Sequence, residues 1–237
     1  MRKDSTQYTF IFALIICVVC SLLLSLVSEG LRSKKELNEA LDIKKNILKA
    51  VALREPVDAK ASTDVLVSVY KQKIQEIVID AQGNLVADKA PGAIAEGEAL
   101  YPVYIYKEGS EVISYAFPIV GKGLWSTLYG YFALEADAKT VRGITFYKHG
   151  ETPGLGAEIE ANWFTDNYKG KSIWDVKTKD LKPVAVVKGK VNDVVKAEDQ
   201  KHYVDGISGA TMTAKGVTEM VDREIRKYEP YFSKIRK

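Results

Sequence analysis

The sequence predicts an α+β protein in which a single membrane-spanning helix precedes an antiparallel-sheet domain. Three observations predict it. Residues 5–28 carry no charged side chain, and Asp4 and Glu29 bound them. Four apolar β patterns joined by short polar turns occupy residues 101–147. An amphipathic pattern over residues 211–228 then places Val217, Met220, Val221, Ile225 and Tyr228 on one helical face. Consecutive strands linked by tight turns, with helices collected at the ends, are the mark of an α+β domain.

The first element follows from length. About 20 apolar residues at 1.5 Å rise cover the roughly 30 Å hydrocarbon core of a bilayer, and residues 8–27 are dominated by Phe, Ile, Leu and Val. A cleaved signal peptide is the competing reading; the run is longer than its usual apolar core, and no clean small-x-small site follows. Cys17 and Cys20 fall inside the segment. Their spacing mimics a redox pair, but thiols in hydrocarbon without charged neighbours stay protonated and inert. With no Asp, Glu, Lys, Arg or His inside, the segment is expected to anchor without conducting ions. Arg2 and Lys3 on one side face Arg32, Lys34, Lys35, Lys44 and Lys45 on the other. A naive positive-inside count puts the domain in the cytoplasm, although long domains translocate largely regardless of charge.

Residues 29–52 read as a charged helix with Leu37, Leu41, Ile47, Leu48 and Val51 near one face, a solvated stalk rather than a coiled-coil site. Glu55-Pro56 ends it. A second helix is expected over residues 62–74, with Ser62, Thr63 and Asp64 as a capping cluster. Strands follow at 76–80, 85–86, 101–107, 112–120, 128–135, 141–147 and 183–188, and helices at 157–168 and 211–228. The expected division is a tail at 1–7, the membrane helix at 8–28, the stalk at 29–60 and the folded domain at 61–237.

Composition supports a packed domain. Of 237 residues, 46% are apolar and 27% charged, which excludes a disordered, collagen-like or multi-span chain. Lys and Arg total 34 against 31 acids, too slight an excess for a dedicated nucleic-acid binder. Two cysteines, both in the apolar segment, provide neither a disulfide framework nor the thiolates of a metal cluster.

Two loops carry chemistry. The first, His149-Gly150-Glu151-Thr152-Pro153-Gly154-Leu155-Gly156, follows a strand and precedes a helix. Its glycines allow close backbone approach and the helix entry offers unpaired N–H groups, although a plain connector explains the pattern equally well. The second, Asp205-Gly206-Ile207-Ser208-Gly209-Ala210-Thr211-Met212-Thr213, sets three hydroxyls around a Gly-Ala pair before the last helix. A phosphate at that first turn would meet free N–H groups and the positive end of the helix dipole. An ordinary cap needs one hydroxyl; three exceed it.

At these residues the chain resembles a known family. Asp205-x-x-Ser208-Gly209-Ala210-Thr211 is similar to the acceptor motif of proteins that carry covalent FMN through a threonine phosphoester, and the loop from Glu151 to Gly156 resembles their companion loop. The stretch Gly123-Leu124-Trp125-Ser126-Thr127-Leu128-Tyr129-Gly130, with Ala133-Leu134-Glu135 after it, resembles the C subunits of sodium-translocating NADH:quinone oxidoreductases, as does the single anchor. The G subunit of the Rnf complex shares both motifs and is the alternative; a flavin-free scaffold module is a third reading.

The resemblance implies a membrane-anchored flavoprotein subunit that relays electrons among other membrane subunits of a sodium-pumping complex of the bacterial inner membrane. It implies a periplasmic domain, overriding the charge count, and a separate flavin transferase, because a threonine hydroxyl needs an activating base and His202 is the only histidine near in sequence. It implies FMN on Thr211, with Ser208 and Thr213 as rival acceptors, Asp205 as a recognition or positioning residue, and backbone N–H groups of residues 209–213, including Ala210, around the phosphate. Gly154, Leu155 and Gly156 are expected against the ring, and Glu151 and Thr152 at its polar edge. Trp125 flanks the ring or is plain core; His149 touches it or is a surface histidine.

Overall fold

The computed structural model describes residues 6–52 and 62–236. The expected stop at Glu55-Pro56, most of the tail and the stalk boundary at residue 60 lie outside the described residues.

The chain divides into two compact units, Met1–Asp42 and Ile43–Lys237. Helix α1 (Thr6–Ala50) runs unbroken through the expected boundary at residue 28, so the apolar and charged segments form one helix. Every side chain from Thr6 to Ala40 is exposed, and the apolar stretch is long enough to cross a membrane. Arg32 then pairs with Glu36 at 3.1 Å one turn away, the surface pairing that supports an otherwise solvated helix.

The second unit opens with the end of α1. Here the stalk reading is corrected: Ile47, Leu48 and Val51 are buried, packed with Tyr104, Tyr131 and Ala133 on one face of the sheet. The Arg142 guanidinium donates to the Val51 carbonyl at 2.6 Å and closes the corner. Helix α2 (Thr63–Lys73) covers the same face through Leu66 and Tyr70. Its cap differs from expectation, because Ser62 sits at the cap position with no side-chain hydrogen bond.

Strands β1 (Ile74–Asp80), β2 (Leu100–Glu108), β3 (Glu111–Lys122), β4 (Thr127–Glu135) and β5 (Val141–Lys148) form an antiparallel meander in sequence order. Residues 85–86, expected as a strand, make only an isolated bridge from Leu85 to Ile79. Successive side chains of a strand point to opposite faces. In β3, Tyr115, Phe117 and Ile119 therefore enter the main core while Ala116 faces α1 and α2. Both faces are covered, which explains why these strands read as apolar runs rather than as clean alternation.

Beyond β5 the expected helix at 157–168 is three short pieces: a 3₁₀ turn (Gly156–Glu160), the single α-turn α3 (Asn162–Thr165) and a second 3₁₀ turn (Asp166–Tyr168). Ile159, Phe164 and Tyr168 are buried at spacings that imitate one helical face, but the extended backbone of Ala161 breaks it. Two-residue strands β6 (Trp174–Asp175) and β7 (Asp180–Leu181) pair antiparallel. The strand expected at 183–188 contracts to β8 (Ala185–Val186); after the short α4 (Val191–Val194), it pairs in parallel with β9 (Tyr203–Val204). Helix α5 (Thr211–Ile235) lies on the main core with Val217, Met220, Val221, Ile225 and Tyr228 buried as expected. It continues through Pro230 because Tyr231 and Phe232 extend the buried stripe. The Tyr228 and Phe117 rings meet with centroids 4.3 Å apart.

Candidate functional site

Each strand-to-helix loop is shaped by one acidic side chain that accepts backbone N–H donors of another segment, three for the first loop and one for the second. In the first loop that side chain is Glu151, which is buried. Its Oε1 accepts the N–H groups of Trp125 at 3.0 Å and Ser126 at 3.1 Å, and the Ser126 hydroxyl at 3.3 Å. Its Oε2 accepts the Leu124 N–H at 3.1 Å and the Thr213 hydroxyl at 2.6 Å. Burial alone would raise its pKa; the Thr213 hydroxyl and the three backbone donors outweigh burial and hold the carboxyl below its ordinary value. The resemblance implies that Glu151 bonds a ring edge; in this geometry the carboxylate is engaged by donors of the protein itself.

The rest of the loop is built around that carboxylate. The Ser126 hydroxyl accepts the Gly150 N–H at 2.6 Å. His149 lies 3.3 Å from Glu160 through Nε2, and its Nδ1 accepts the Glu151 N–H at 3.3 Å. The carbonyl of Thr152 accepts from both Leu155 and Ala157 at 3.1 Å, turning the chain into the 3₁₀ segment. A side chain at Gly156 would reach within 2.6 Å of the Thr213 Oγ1 and 2.9 Å of the Glu151 Oε2, so only glycine lets the loop close there. Gly154 and Leu155 remain exposed.

In the second loop, Asp205 accepts the Val191 N–H at 2.8 Å and the Lys190 ammonium at 2.9 Å. Desolvation raises its pKa less than these two partners and the Lys171 charge together lower it. Gly209 takes a φ of +73°, and a Cβ there would come within 2.8 Å of the Leu155 side chain, which leans over it. Ala210 is the residue before α5, and its carbonyl accepts the Ala214 N–H at 2.9 Å.

The three candidate hydroxyls now separate. Thr211 opens α5 and is exposed, as is Ser208. Thr213 is buried to 1% exposure and donates to Glu151, which removes it as a nucleophile presented to solvent. Thr211, Ser208 and Gly209 open onto a cleft of about 560 Å³, whose lining also takes in a wall of residues 186–190 together with Ile207, Ala214 and Thr218. That volume lies within the range of small-molecule sites. Lys188, Lys190 and Lys215 line it. The sequence motifs did not reveal this wall, because it reaches Thr211 only through the pairing of β8 with β9.

In the acceptor turn and the segments that Glu151 and Gly209 join to it, Leu124, Trp125, Leu155 and Met212 are all exposed apolar side chains. Trp125 is 72% exposed, so its alternative assignment to the core is corrected. His202 belongs to a different corner: it is buried, its Nδ1 donates to the Ser172 carbonyl at 2.7 Å, and burial lowers its pKa.

The residues fit a flavin nucleotide. An exposed threonine at a helix start offers an attachment point with unpaired backbone N–H groups nearby. The cleft lining combines apolar Val186, Ile207 and Ala214 with basic Lys188, Lys190 and Lys215, and exposed apolar side chains stand on the neighbouring segments. Fold and site together define an FMN-binding-domain protein, and the family model described as the FMN-binding domain matches residues 123–226. Over the whole chain the similarity is narrower. The chain is 33% identical to the C subunit of the Na(+)-translocating NADH-quinone reductase of Pseudomonas aeruginosa, an alignment covering 100% of this chain and 98% of the relative. It is 29% identical to the C subunit of the Yersinia pestis reductase, over 99% and 95%. A crystal structure of the C subunit from Parabacteroides distasonis superposes with a TM-score of 0.73 at 33% identity, covering 86% of this chain and 97% of the other. Shewanella oneidensis NqrC gives 0.65 at 25% identity, covering 81% and 95%. The chain belongs to the family of C subunits of Na(+)-translocating NADH-quinone reductase.

Proposed function

We propose that this chain is the flavin-bearing C subunit of a sodium-translocating NADH-quinone reductase, holding FMN through a phosphoester to the Thr211 hydroxyl and relaying electrons between other redox centres of the complex. The observation that carries the attachment is the contrast within one helical turn: Thr211 is exposed at the mouth of the cleft, whereas Thr213 is buried and hydrogen-bonded. Bound FMN supplies reversible electron acceptance and release, chemistry that belongs to the cofactor. The protein's part is position. Backbone N–H groups at the start of α5 would hold the phosphate, Lys188 and Lys215 would offer counter-charge, and the cleft lining and the exposed Trp125 and Leu155 side chains would offer surfaces for the ring.

In this reading the apolar part of α1 anchors the chain once in the bacterial inner membrane among the other membrane subunits. The domain faces the periplasm, where a separate flavin transferase loads it. The need for that enzyme is supported by the site: among the described residues, no imidazole or carboxylate lines the cleft to activate Thr211 as a nucleophile. Asp205, bonded to Lys190 and the Val191 N–H, serves to hold the acceptor loop against the cleft wall.

The test is co-expression with a flavin transferase, followed by denaturing gel electrophoresis under ultraviolet light. The chain should carry a fluorescent band that survives denaturation, and Thr211→Ala should lose it completely. Persistence of the band in Thr211→Ala would overturn the attachment site.

A further inference from the structure

We infer that Glu151 is the positioning residue of the acceptor site: its buried carboxylate, hydrogen-bonded to Thr213 and to the backbone of residues 124–126, is a latch that withdraws one threonine from the first turn of α5, leaves Thr211 presented, and fixes the Trp125 loop beside it. The inference rests on Thr211 being the flavin acceptor and adds how that acceptor is set in place.

The chemistry of the latch is specific. Five donors converge on two oxygens, three of them main-chain N–H groups from consecutive residues of the β3–β4 loop. An ionised carboxylate is acceptor-only, with about four lone-pair sites for these donors, the Ser126 hydroxyl being the most distant at 3.3 Å. A glutamine in its place has one carbonyl oxygen and turns its amide N–H groups toward other donors, so at least one oxygen's partners lose their bond. The latch also lies at the start of a helix, where the dipole favours a negative charge.

The geometry couples three segments. Residues two apart on an α-helix point about 200° apart around the axis, so holding Thr213 inward turns Thr211 outward. Gly156 packs against both Thr213 and Glu151, and Leu155, its neighbour, leans on Gly209 within the acceptor turn. The 149–156 loop, the β3–β4 loop and the first turn of α5 therefore share one fastening. Without it each retains its own turn, but their mutual register is lost, and the presented conformation of Thr211 becomes one of several. The apparent affinity of any enzyme that recognises the presented form then falls by the fraction still populated.

The experiment uses the full chain and its Glu151→Gln, Thr213→Val and Thr213→Ser variants, with Thr211→Ala as reference. Two readouts are taken well below the unfolding temperature: hydrogen exchange at the amides of Leu124, Trp125 and Ser126, and the kinetics of flavin loading by the transferase with its flavin nucleotide donor. In Glu151→Gln, exchange at the three amides should rise about tenfold, and the KM for the chain should rise about tenfold while kcat holds. Thr213→Val should move both in the same direction by a smaller factor, although it touches none of those amides. Thr213→Ser, which restores the hydroxyl, should return both to wild type. If Thr211→Ala abolishes loading while Glu151→Gln and Thr213→Val load and exchange like wild type, the latch is wrong and the acceptor stands. If Thr211→Ala still loads, the acceptor assignment fails instead. A fall in kcat alone with KM unchanged also overturns the latch, because it would place Glu151 in the transfer step.

Discussion

The loops at residues 149–156 and 205–213 are made by the same device and differ in where it is placed. Both use one carboxylate to collect backbone N–H groups from a neighbouring segment, Glu151 from residues 124–126 and Asp205 from Val191. Glu151 is buried and its partners are fixed dipoles; Asp205 keeps 23% of its side chain exposed and adds a lysine that is itself 65% exposed. Loss of the buried acceptor strands the buried Thr213 hydroxyl away from water, whereas the partly exposed Asp205 can exchange a partner for water. An acidic residue in a cofactor loop can thus serve the loop's shape first, and burial decides how much depends on it.

The contrast between the two carboxylates is open to measurement. The largest effect is expected from Glu151→Gln, which should cost about 2–3 kcal/mol in chemical unfolding, because the buried Thr213 hydroxyl and three part-buried N–H groups lose a charged acceptor. A loss under about 0.5 kcal/mol would show that water replaces the carboxylate freely. Acid comes next. Glu151 and Asp205 both have folded-state pKa values below their ordinary 4.5 and 3.8. A depressed carboxyl stabilises the fold above its unfolded pKa and loses that contribution as pH falls through the folded value. The unfolding temperature should therefore hold down to about pH 5 and decline below about pH 4.5, with a shallower decline in Glu151→Gln. An identical pH profile in the variant would mean that Glu151 carries none of the acid sensitivity. Asp205→Asn should cost about 1 kcal/mol, since its lysine partner remains solvated. Trp125→Ala should change stability by less than about 0.5 kcal/mol given its exposure, while altering the visible circular dichroism of the loaded flavin. A stability loss comparable to that of Glu151→Gln would mean that the indole is packed after all.

Legibility in the sequence followed the same line between local and non-local causes. Helix α5 was readable because Val217, Met220, Val221, Ile225 and Tyr228 declare one face within the segment itself, and β2 to β5 were readable from apolar runs broken by tight turns. Residues 157–168 misled because Ile159, Phe164 and Tyr168 are buried at near-helical spacing by three separate turns, a match that comes from the tertiary core. Residues 183–188 misled in length, since the β8 partner, β9, arrives from the acceptor loop and pairs for two residues only. The end of α1 reads as solvated because the apolar face carrying Ile47, Leu48 and Val51 is local but the sheet that covers it is not. At the site, the exposed acceptor turn was visible as a motif. The bond between Glu151 and Thr213 joins residues 62 positions apart, and the cleft wall at 186–190 depends on a parallel pairing, so neither leaves a trace in the local pattern.

Whether Thr211 carries the flavin is decided by peptide mass spectrometry of the chain produced with a flavin transferase. The peptide containing Thr211 should carry the mass of one FMN less one water, with fragment ions assigning it to Thr211. An unmodified peptide, or the same mass on Ser208 or Thr213, would contradict the assignment.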